Sequence, residues 1–307
     1  MTKWEKPSCN FCQSKDYKVF LDSVTSWEHK EKFRLVRCSN CGLVYVNPRP
    51  TKKYIGQFYP TETYWNNKAD PQKAYGYLYE LIFNGKKKKI LDIGAGNGLF
   101  LSEFKKRGWE STGVEFSEHA VKEAKNFGLK LKRGDFLDFK FPKNYFDVVT
   151  LNNVLEHLYK PKETLEEISK VLKNNGALIV AVPNLSGVGF RLFGKFWYGI
   201  DAPRHLYQFN LDTLENMLSM CGFEVRKVNH GYWEHNYPVL FESFRQKFSP
   251  NFVKKMGGQR ETGKKNFVKK ENNSLRVIGV KIVCWLVAVF EPFFGTSEVV
   301  VVEARKI

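Results

Sequence analysis

Ile90-Leu-Asp-Ile-Gly-Ala-Gly-Asn-Gly98 is the most informative stretch of this 307-residue chain, because an apolar strand runs directly into a glycine-rich turn. Glycine allows the positive backbone angles of such a turn and lets a ligand approach the main chain closely. A helix is predicted to follow, and Glu115 ends the next predicted strand, 21 positions after Gly94. At that distance an acidic residue can accept both hydroxyls of a ribose. The glycine spacing differs from the GxGxxG of dinucleotide sites, so no pyrophosphate is implied.

Strand and helix patterns alternate from Ile90 to the C-terminus, which predicts an α/β fold with a largely parallel, doubly wound sheet. The predicted strands are 90–93, 110–115, 129–132, 146–151, 177–182, 223–228 and 298–303, and the predicted helices are 99–107, 118–127, 161–172 and 211–221. Two stretches interrupt this rhythm: the aromatic-rich 184–209 and the long insertion 231–297.

Four motifs in this order resemble the class I S-adenosylmethionine (SAM)-dependent methyltransferases: the turn at 92–98, Glu115, Gly134-Asp-Phe136 and Phe146-Asp-Val-Val149. The resemblance covers roughly residues 88–230 and the last strand. It implies a Rossmann-like seven-stranded sheet that ends in an antiparallel hairpin, and SAM as the cofactor. The glycines would line the methionine part of SAM, and Glu115 would hold the ribose hydroxyls. Asp135 and Phe136 of the third motif would contact the adenine. The cofactor-binding residues implied in this way are Asp92, Gly94, Gly96, Gly98, Glu115, Asp135, Phe136 and Asn152.

Four of the six cysteines form two pairs, Cys9-x2-Cys12 and Cys38-x2-Cys41. The N-terminus lacks the apolar segment of a secretory signal, and no uncharged apolar run reaches 18 residues. We therefore expect a cytoplasmic protein, whose thiols are reduced. Paired CxxC motifs in that setting indicate zinc rather than disulfides. Four thiolates complete a tetrahedron and leave no open position, so the predicted zinc is structural.

Two histidines are candidates for removing a proton from a methyl acceptor. His157 follows the fourth predicted strand, and its Leu-Glu-His-Leu segment resembles one in ubiquinone-biosynthesis and sugar methyltransferases. His205 lies in Asp201-Ala-Pro-Arg-His-Leu-Tyr207, which resembles a segment bordering the acceptor pocket in the same group. Arg204 and Tyr207 are secondary candidates for acceptor contacts. Each histidine has a structural alternative, since His157 can cap a turn and His205 can orient a loop.

The composition excludes global disorder, because 43% of the residues are apolar and 15% are aromatic. The formal net charge of +17 indicates an acidic partner: nucleic acid, a phosphorylated substrate or an anionic membrane surface. Residues 245–281 carry eleven of the basic residues and two acids, and 277–294 is apolar almost throughout. Either this apolar segment packs on protein, or it lies in a membrane interface with the lysines facing lipid headgroups. The second interpretation is slightly favoured.

The predicted function is a SAM-dependent methyltransferase acting on a sugar or glycan intermediate of cell-surface polysaccharide synthesis, including a lipid-linked one. Zinc knuckles placed before such a core resemble the arrangement in sugar C-methyltransferases. A quinone-type O-methyltransferase is the near alternative. A zinc-containing nucleic-acid-binding protein is the alternative of another class, and the absence of stacking aromatics among the basic residues disfavours it. The acceptor atom and the oligomeric state stay open.

The chain is accordingly divided into five predicted segments, of which the cofactor-binding core is the largest. They are a zinc-binding module (1–50), a helical linker (51–87), the core (88–230), a basic and apolar helical insertion (231–297) and a final core strand (298–307). The predicted location is the cytoplasm, with peripheral attachment to the inner face of the membrane as a further expectation.

Overall fold

The computed structural model describes residues 2–25, 31–59, 71–82, 88–230, 233–248 and 275–307. Its strands are β1 (Trp4–Glu5), β2 (Tyr17–Thr25), β3 (Lys32–Cys38), β4 (Val44–Val46), β5 (Arg49–Pro50), β6 (Lys89–Ile93), β7 (Glu110–Glu115), β8 (Lys132–Arg133), β9 (Phe146–Asn152), β10 (Leu172–Pro183), β11 (Tyr207–Gln208), β12 (Phe223–Asn229) and β13 (Val299–Lys306). Its α-helices are α1 (Pro71–Ile82), α2 (Leu99–Lys106), α3 (Glu118–Glu123), α4 (Pro161–Val171), α5 (Val188–Phe193), α6 (Leu211–Met220), α7 (Trp233–Phe248) and α8 (Leu275–Phe290).

A seven-stranded sheet in the order β12-β13-β10-β9-β6-β7-β8 confirms the predicted fold class. The strands from β10 to β8 run parallel, and β13 pairs antiparallel with both β10 and β12. The carboxyl ends of the parallel strands therefore meet at one edge of the sheet, where ligands bind in open α/β folds. Ala177 to Val182 of β10 are all buried, as expected for a central strand covered on both faces.

The third and fifth core strands differ from the predicted bounds. The third consists of Lys132–Arg133 rather than 129–132, because Leu129 is buried against Ala124 and the glycine turn instead of extending the sheet. The fifth strand begins at Leu172, five residues earlier than predicted, and an irregularity in its pairing with β9 separates Leu172 from Ala177. Local pattern could not reveal either difference, since both depend on packing and register.

The N-terminal segment and the core share a second, four-stranded sheet in the order β11-β4-β3-β2. Tyr207 and Gln208 of the core pair with Tyr45 and Val44 of the N-terminal segment. The sequence predicts β3 and β4 but neither β2 nor β11. It also predicts that residues 47–50 break regular structure, whereas Arg49–Pro50 pairs with Trp4–Glu5. This pairing is compatible with proline because the two-stranded sheet has only edge strands.

Helices α7 and α8 pack together beside α5. Among the described residues, no helix has the length and apolar character needed to cross a membrane. Most of the predicted basic cluster, including Lys254 to Lys270, falls outside the described residues.

Candidate active site

The glycine turn between β6 and α2 has left-handed backbone angles at all three predicted glycines, with φ of 72° at Gly94, 54° at Gly96 and 80° at Gly98. A Cβ at Gly94 would lie 2.3 Å from Cγ2 of Val154. Position 94 therefore excludes any side chain on two grounds, its backbone conformation and the contact with the segment after β9.

Asp92 lies at the carboxyl end of β6, directly before this turn, and is 4% exposed. The hydroxyl of Thr150 on β9 donates a hydrogen bond of 2.6 Å to Oδ1 of Asp92. Burial raises the pKa of Asp92 to about 7, and the charge of Glu115 acts in the same direction. A nearby cationic ligand would favour the ionised carboxylate.

Glu115 ends β7 and is 5% exposed. Its carboxylate accepts hydrogen bonds from the backbone N–H of Gly96 at 2.9 Å and of Ser117 at 2.7 Å. Burial raises the pKa of Glu115. Glu115 thus contacts the glycine turn directly. The residue predicted to hold the ribose and the turn predicted to line the methionine part of SAM therefore lie side by side.

The remaining predicted cofactor residues follow the next strands. Asp135 forms an ion pair of 2.5 Å with Lys52, and its other oxygen accepts from the Leu137 N–H. Phe136 is buried and stacks on Phe141 with ring centroids 5.7 Å apart. Asn152 is the last residue of β9 and lies on the same sheet edge as Asp92. Lys52 carries no sequence signal for this contact, because it lies 83 residues away in the chain.

The two predicted histidines meet around a third residue, Glu156, and we call these three the Glu-His-His cluster. The rings of His157 and His205 have centroids 4.6 Å apart. Nε2 of each ring lies 3.9 Å from Oε1 of Glu156. Glu156 is 1% exposed, and neither of its side-chain oxygens has a hydrogen-bond partner among the residues that the structure describes. Sequence reasoning considered Glu156 only as a cap, since nothing local reveals that His205 lies beside it.

Backbone carbonyls determine the tautomer of both rings. Nδ1 of His157 lies 2.9 Å from the Arg204 carbonyl oxygen, and Nδ1 of His205 lies 2.8 Å from that of Gly199. A carbonyl oxygen only accepts, so each Nδ1 carries the proton and each Nε2 presents a lone pair. Both lone pairs lie on the side of Glu156.

Burial controls the protonation of this cluster. Burial lowers the pKa of His157 to about 3, helped by the charge of His205, and lowers that of His205 to about 4. Burial raises the pKa of Glu156 to about 8. Both imidazoles are therefore neutral near pH 7.

The two secondary candidates have other partners. Arg204 donates to Oδ1 of Asp201 from Nε at 3.1 Å and from Nη2 at 2.7 Å. Tyr207 is 2% exposed, accepts from Arg49 at 3.0 Å and lies in the sheet shared with the N-terminal segment. Tyr59, which sequence analysis did not single out, places its hydroxyl 3.1 Å from Nδ1 of His157.

The four paired cysteines converge as predicted, and we call them the cysteine cluster. Their sulfur atoms all lie within 4.8 Å of one another, with Cys9 and Cys41 at 3.4 Å and Cys12 and Cys38 at 3.5 Å. None of them forms a disulfide. Zinc–sulfur bonds of about 2.3 Å place the sulfurs of a tetrahedron about 3.8 Å apart, so the donor set fits zinc.

The first cysteine knuckle is attached to the core beside the cluster. The Asn10 side chain donates to Glu163 at 2.9 Å and accepts from the Lys162 N–H at 3.0 Å, both at the start of α4. The knuckle is thereby joined to the helix that follows the segment of Glu156 and His157.

Comparison with known proteins identifies relatives of this architecture. The sequence model of a family described as a methyltransferase domain matches residues 69–228. A ubiquinone biosynthesis O-methyltransferase of Idiomarina loihiensis is 33% identical over 127 residues, which cover 39% of this chain and 49% of that protein. A demethylmenaquinone methyltransferase of Corynebacterium kroppenstedtii is 33% identical over 92 residues, covering 30% of this chain and 40% of that protein.

Among solved structures, a SAM-dependent methyltransferase from Archaeoglobus fulgidus superimposes with a TM-score of 0.50 at 22% identity. The match covers 78% of this chain and 95% of that chain, and it supports the fold. The chain spans about half the length of the curated relatives it matches. The family and fold support SAM as the cofactor, while no sugar or polysaccharide enzyme is among these relatives.

Proposed function

We propose, from the premise that this chain belongs to the methyltransferase-domain family, that it transfers the methyl group of SAM to a hydroxyl of a quinone-type aromatic acceptor. The observation that carries the proposal is the arrangement along one sheet edge. The glycine turn follows β6 and Glu115 ends β7, while Glu156 and His157 follow β9 and His205 follows β10. Cofactor and acceptor functions thus lie side by side at the carboxyl ends of neighbouring parallel strands.

The acceptor class follows from the relatives rather than from the pocket. The names of the quinone-pathway relatives support the alternative predicted from the sequence better than the sugar or glycan acceptor. Methyl transfer to a hydroxyl requires loss of its proton. The Nε2 atoms of His157 and His205 carry no proton and can accept one, although burial makes both rings weaker bases than free imidazole. Arg204, held by Asp201, is placed to orient the loop that carries His205.

Transfer of labelled methyl from SAM tests this function directly. Polyhydroxylated aromatic acids with short prenyl tails, nucleotide sugars and RNA would be offered in parallel at equal concentration. We expect label in the aromatic acceptors alone. Label in the nucleotide sugars would restore the glycan assignment, and label in RNA would favour the nucleic-acid alternative. SAM binding by calorimetry, measured without acceptor, tests the cofactor independently.

We also propose that the cysteine cluster holds one structural zinc ion. Four buried or partly buried thiols at the separations given above match the tetrahedral donor set, and they leave no position for a substrate. Elemental analysis of the purified chain should give one zinc per molecule. The same measurement on Cys38→Ser should give none.

An anionic membrane is the partner we propose for the outer side of α8. Ile282, Val283, Trp285, Leu286 and Phe290 are each 42–59% exposed, and we call them the apolar face. All five side chains of the apolar face are uncharged.

Exposed basic side chains lie on α5, on the turn after it and on α7, and Lys247 lines a groove together with Val283 of α8. Arg191, Lys195 and Lys247 are exposed, and Leu192 and Phe248 beside them are 53% and 59% exposed. Apolar side chains bordered by cations match a bilayer interface with anionic headgroups. A groove of about 340 Å³ between α5, α7 and α8, lined by apolar residues and by Lys247, would suit the chain of a prenylated acceptor.

Vesicle flotation tests the apolar face with Trp285→Glu, and Ile307→Glu is the matched control, since Ile307 is 75% exposed elsewhere. We expect wild type and the control to float with phosphatidylglycerol vesicles at low salt, and Trp285→Glu to stay unbound. Absence of wild-type binding would refute the membrane partner. A change of oligomeric state in Trp285→Glu, without vesicle binding by wild type, would identify the face as a contact between copies.

A further inference from the structure

The Glu-His-His cluster is built from two short segments, one from Glu156 to Tyr159 and the other from Arg204 to Tyr207. Side chains join these segments at both ends. At one end, Nδ1 of His157 donates to the Arg204 carbonyl oxygen at 2.9 Å. At the other end, the Tyr207 hydroxyl donates to the Tyr159 carbonyl oxygen at 3.3 Å. Each of these tyrosines follows a histidine of the cluster by two positions, so their separation helps to determine how the two rings meet.

Arg49 of the N-terminal segment lies across the tyrosine end of both segments. Its Nη1 donates to the Tyr207 hydroxyl at 3.0 Å, and its Cζ lies 4.6 Å from the centroid of the Tyr159 ring. The Tyr159 hydroxyl in turn donates to the Pro50 carbonyl oxygen at 2.7 Å. Nε of Arg49 donates to Glu5 at 2.6 Å, which balances the charge. One guanidinium thus contacts a tyrosine from each histidine segment.

The chemistry of Arg49 favours a geometric role over a purely stabilising one. The residue is 9% exposed, and packed apolar residues of similar volume often replace a buried ion pair without loss of stability. A guanidinium is a rigid planar fork that donates in several directions while its face lies over an aromatic ring. A lysine ammonium is a point charge and could not make all three contacts from one fixed position. The fork is therefore suited to hold Tyr159 and Tyr207 at one separation.

We infer that Arg49 is a positioning residue for the proposed methyl transfer, which acts through Tyr159 and Tyr207 to fix how the rings of His157 and His205 meet. These rings are T-shaped, with centroids 4.6 Å apart and planes at 77°. Misplacement of a reacting group by about 1 Å can cost about a hundredfold in rate. The effect on turnover rests on the proposed function, whereas the effect on the two rings does not.

The histidine rings report on this role without any acceptor. In protein with isotope-labelled histidine, the ring C–H signals of His157 and His205 depend on the magnetic effect of the neighbouring ring. His157→Ala and His205→Ala therefore define the signal that each ring gives without its neighbour. In Arg49→Met both signals should move toward those positions, while the signal of His119, on α3, should stay in place. Wild-type positions of both signals in Arg49→Met would overturn the inference.

Turnover with the aromatic acceptors provides the second test. We expect Arg49→Met to lower kcat about ten- to a hundredfold and to leave the SAM dissociation constant unchanged. Arg49→Lys should restore only part of kcat, because it keeps the charge but not the fork. Lys53→Ala removes an exposed cation from the same stretch of chain and is the matched control, with wild-type kcat expected. Wild-type kcat in Arg49→Met would overturn the inference.

Tyr207→Phe tests the same contact from its other side, and it keeps the inference open to refutation if Arg49→Met fails to fold. The change removes the hydroxyl that links Arg49 to Tyr159, so the two histidine signals should move in the same direction. A cooperative thermal transition and SAM calorimetry check the folding of each variant. Absence of methyl transfer by wild type would refute the proposed function, while movement of the histidine signals in the variants would still support the positioning role.

Discussion

The glycine turn and the acid of the predicted cofactor site come from residues 92–115, one strand-turn-helix-strand stretch, whereas the predicted acceptor side gathers Tyr59, His157 and His205 from three distant segments. Glu115 contacts the turn 19 residues before it through Gly96. His157 and His205 are 48 positions apart in the sequence and are held by carbonyls of a loop that packs on other elements. The comparison teaches that the turn and acid predicted to bind SAM form locally, whereas the cluster proposed to prepare the acceptor forms only in the assembled fold.

The largest expected effect tests the glycine turn and Glu115, which lie within residues 92–115. Gly94→Arg places a side chain where a Cβ would already lie 2.3 Å from Val154, at a φ of 72°. We expect SAM binding to fall below detection in calorimetry, and Glu115→Ala to lose it as well. Gly56→Ala is the matched control, because a Cβ there meets no atom within 4 Å. Affinity of both site variants within about tenfold of wild type would contradict the cofactor assignment.

The second prediction tests the assembled side. His205→Ala and His157→Ala should each lower turnover by about 10²–10⁴-fold while leaving the SAM dissociation constant unchanged, since neither ring belongs to the glycine turn. Methyl transfer and SAM calorimetry on the same preparations separate the two effects. Full turnover in both variants would show that the Glu-His-His cluster takes no part in methyl transfer.

The third prediction sharpens the comparison through the N-terminal segment. Cys38→Ser should release zinc and remove a large share of the roughly 10 kcal/mol that a structural zinc ion contributes to small zinc modules. Because β4 pairs with β11 next to His205, turnover should fall far more than SAM affinity. Cys221→Ser changes a buried thiol outside the cluster and serves as the control. Equal loss of SAM affinity and turnover would show that the two sides are not separable.

The smallest effect concerns a buried pair that supports the loop behind His205. Glu298 is 1% exposed and accepts from the Gly189 N–H at 2.6 Å and from the Trp197 indole. Burial raises the pKa of Glu291 and of Glu298, and the charge of Glu298 raises that of Glu291 further. The folded state thus holds more protons than the unfolded state.

Stability from this pair is therefore fully present below the unfolded pKa of glutamate and is lost as pH rises toward the folded pKa values. Between about pH 5 and pH 8 the free energy of unfolding should fall by up to about 1.4 kcal/mol per pH unit for each proton involved. Glu291→Gln should flatten this dependence in denaturant titrations, and the exposed Glu224→Gln should not. If the free energy of unfolding of Glu291→Gln kept the same pH dependence as wild type, this pair would not be its cause.

Particular residues show how far sequence reasoning reached. The glycine turn, Glu115 and the four cysteines were predicted because their chemistry depends on short spacings, and the structure brings each set together. The two histidines were predicted individually from their segments. The carboxylate between them and the phenol of Tyr59 were not assigned this role, because their positions depend on chain segments 48 to 98 residues apart.

Sequence alone determined the alternation of strands and helices, the cofactor turn and the pairing of thiols, since each follows from backbone geometry within a few residues. The tertiary structure alone determined that β11 joins the N-terminal sheet, that Leu129 leaves the third strand for the core, and that Glu156 lies beside two imidazoles from separate segments. The physical reason is the same in each case. Register, burial and the loss of water around a polar group depend on neighbours that only the folded chain brings into contact.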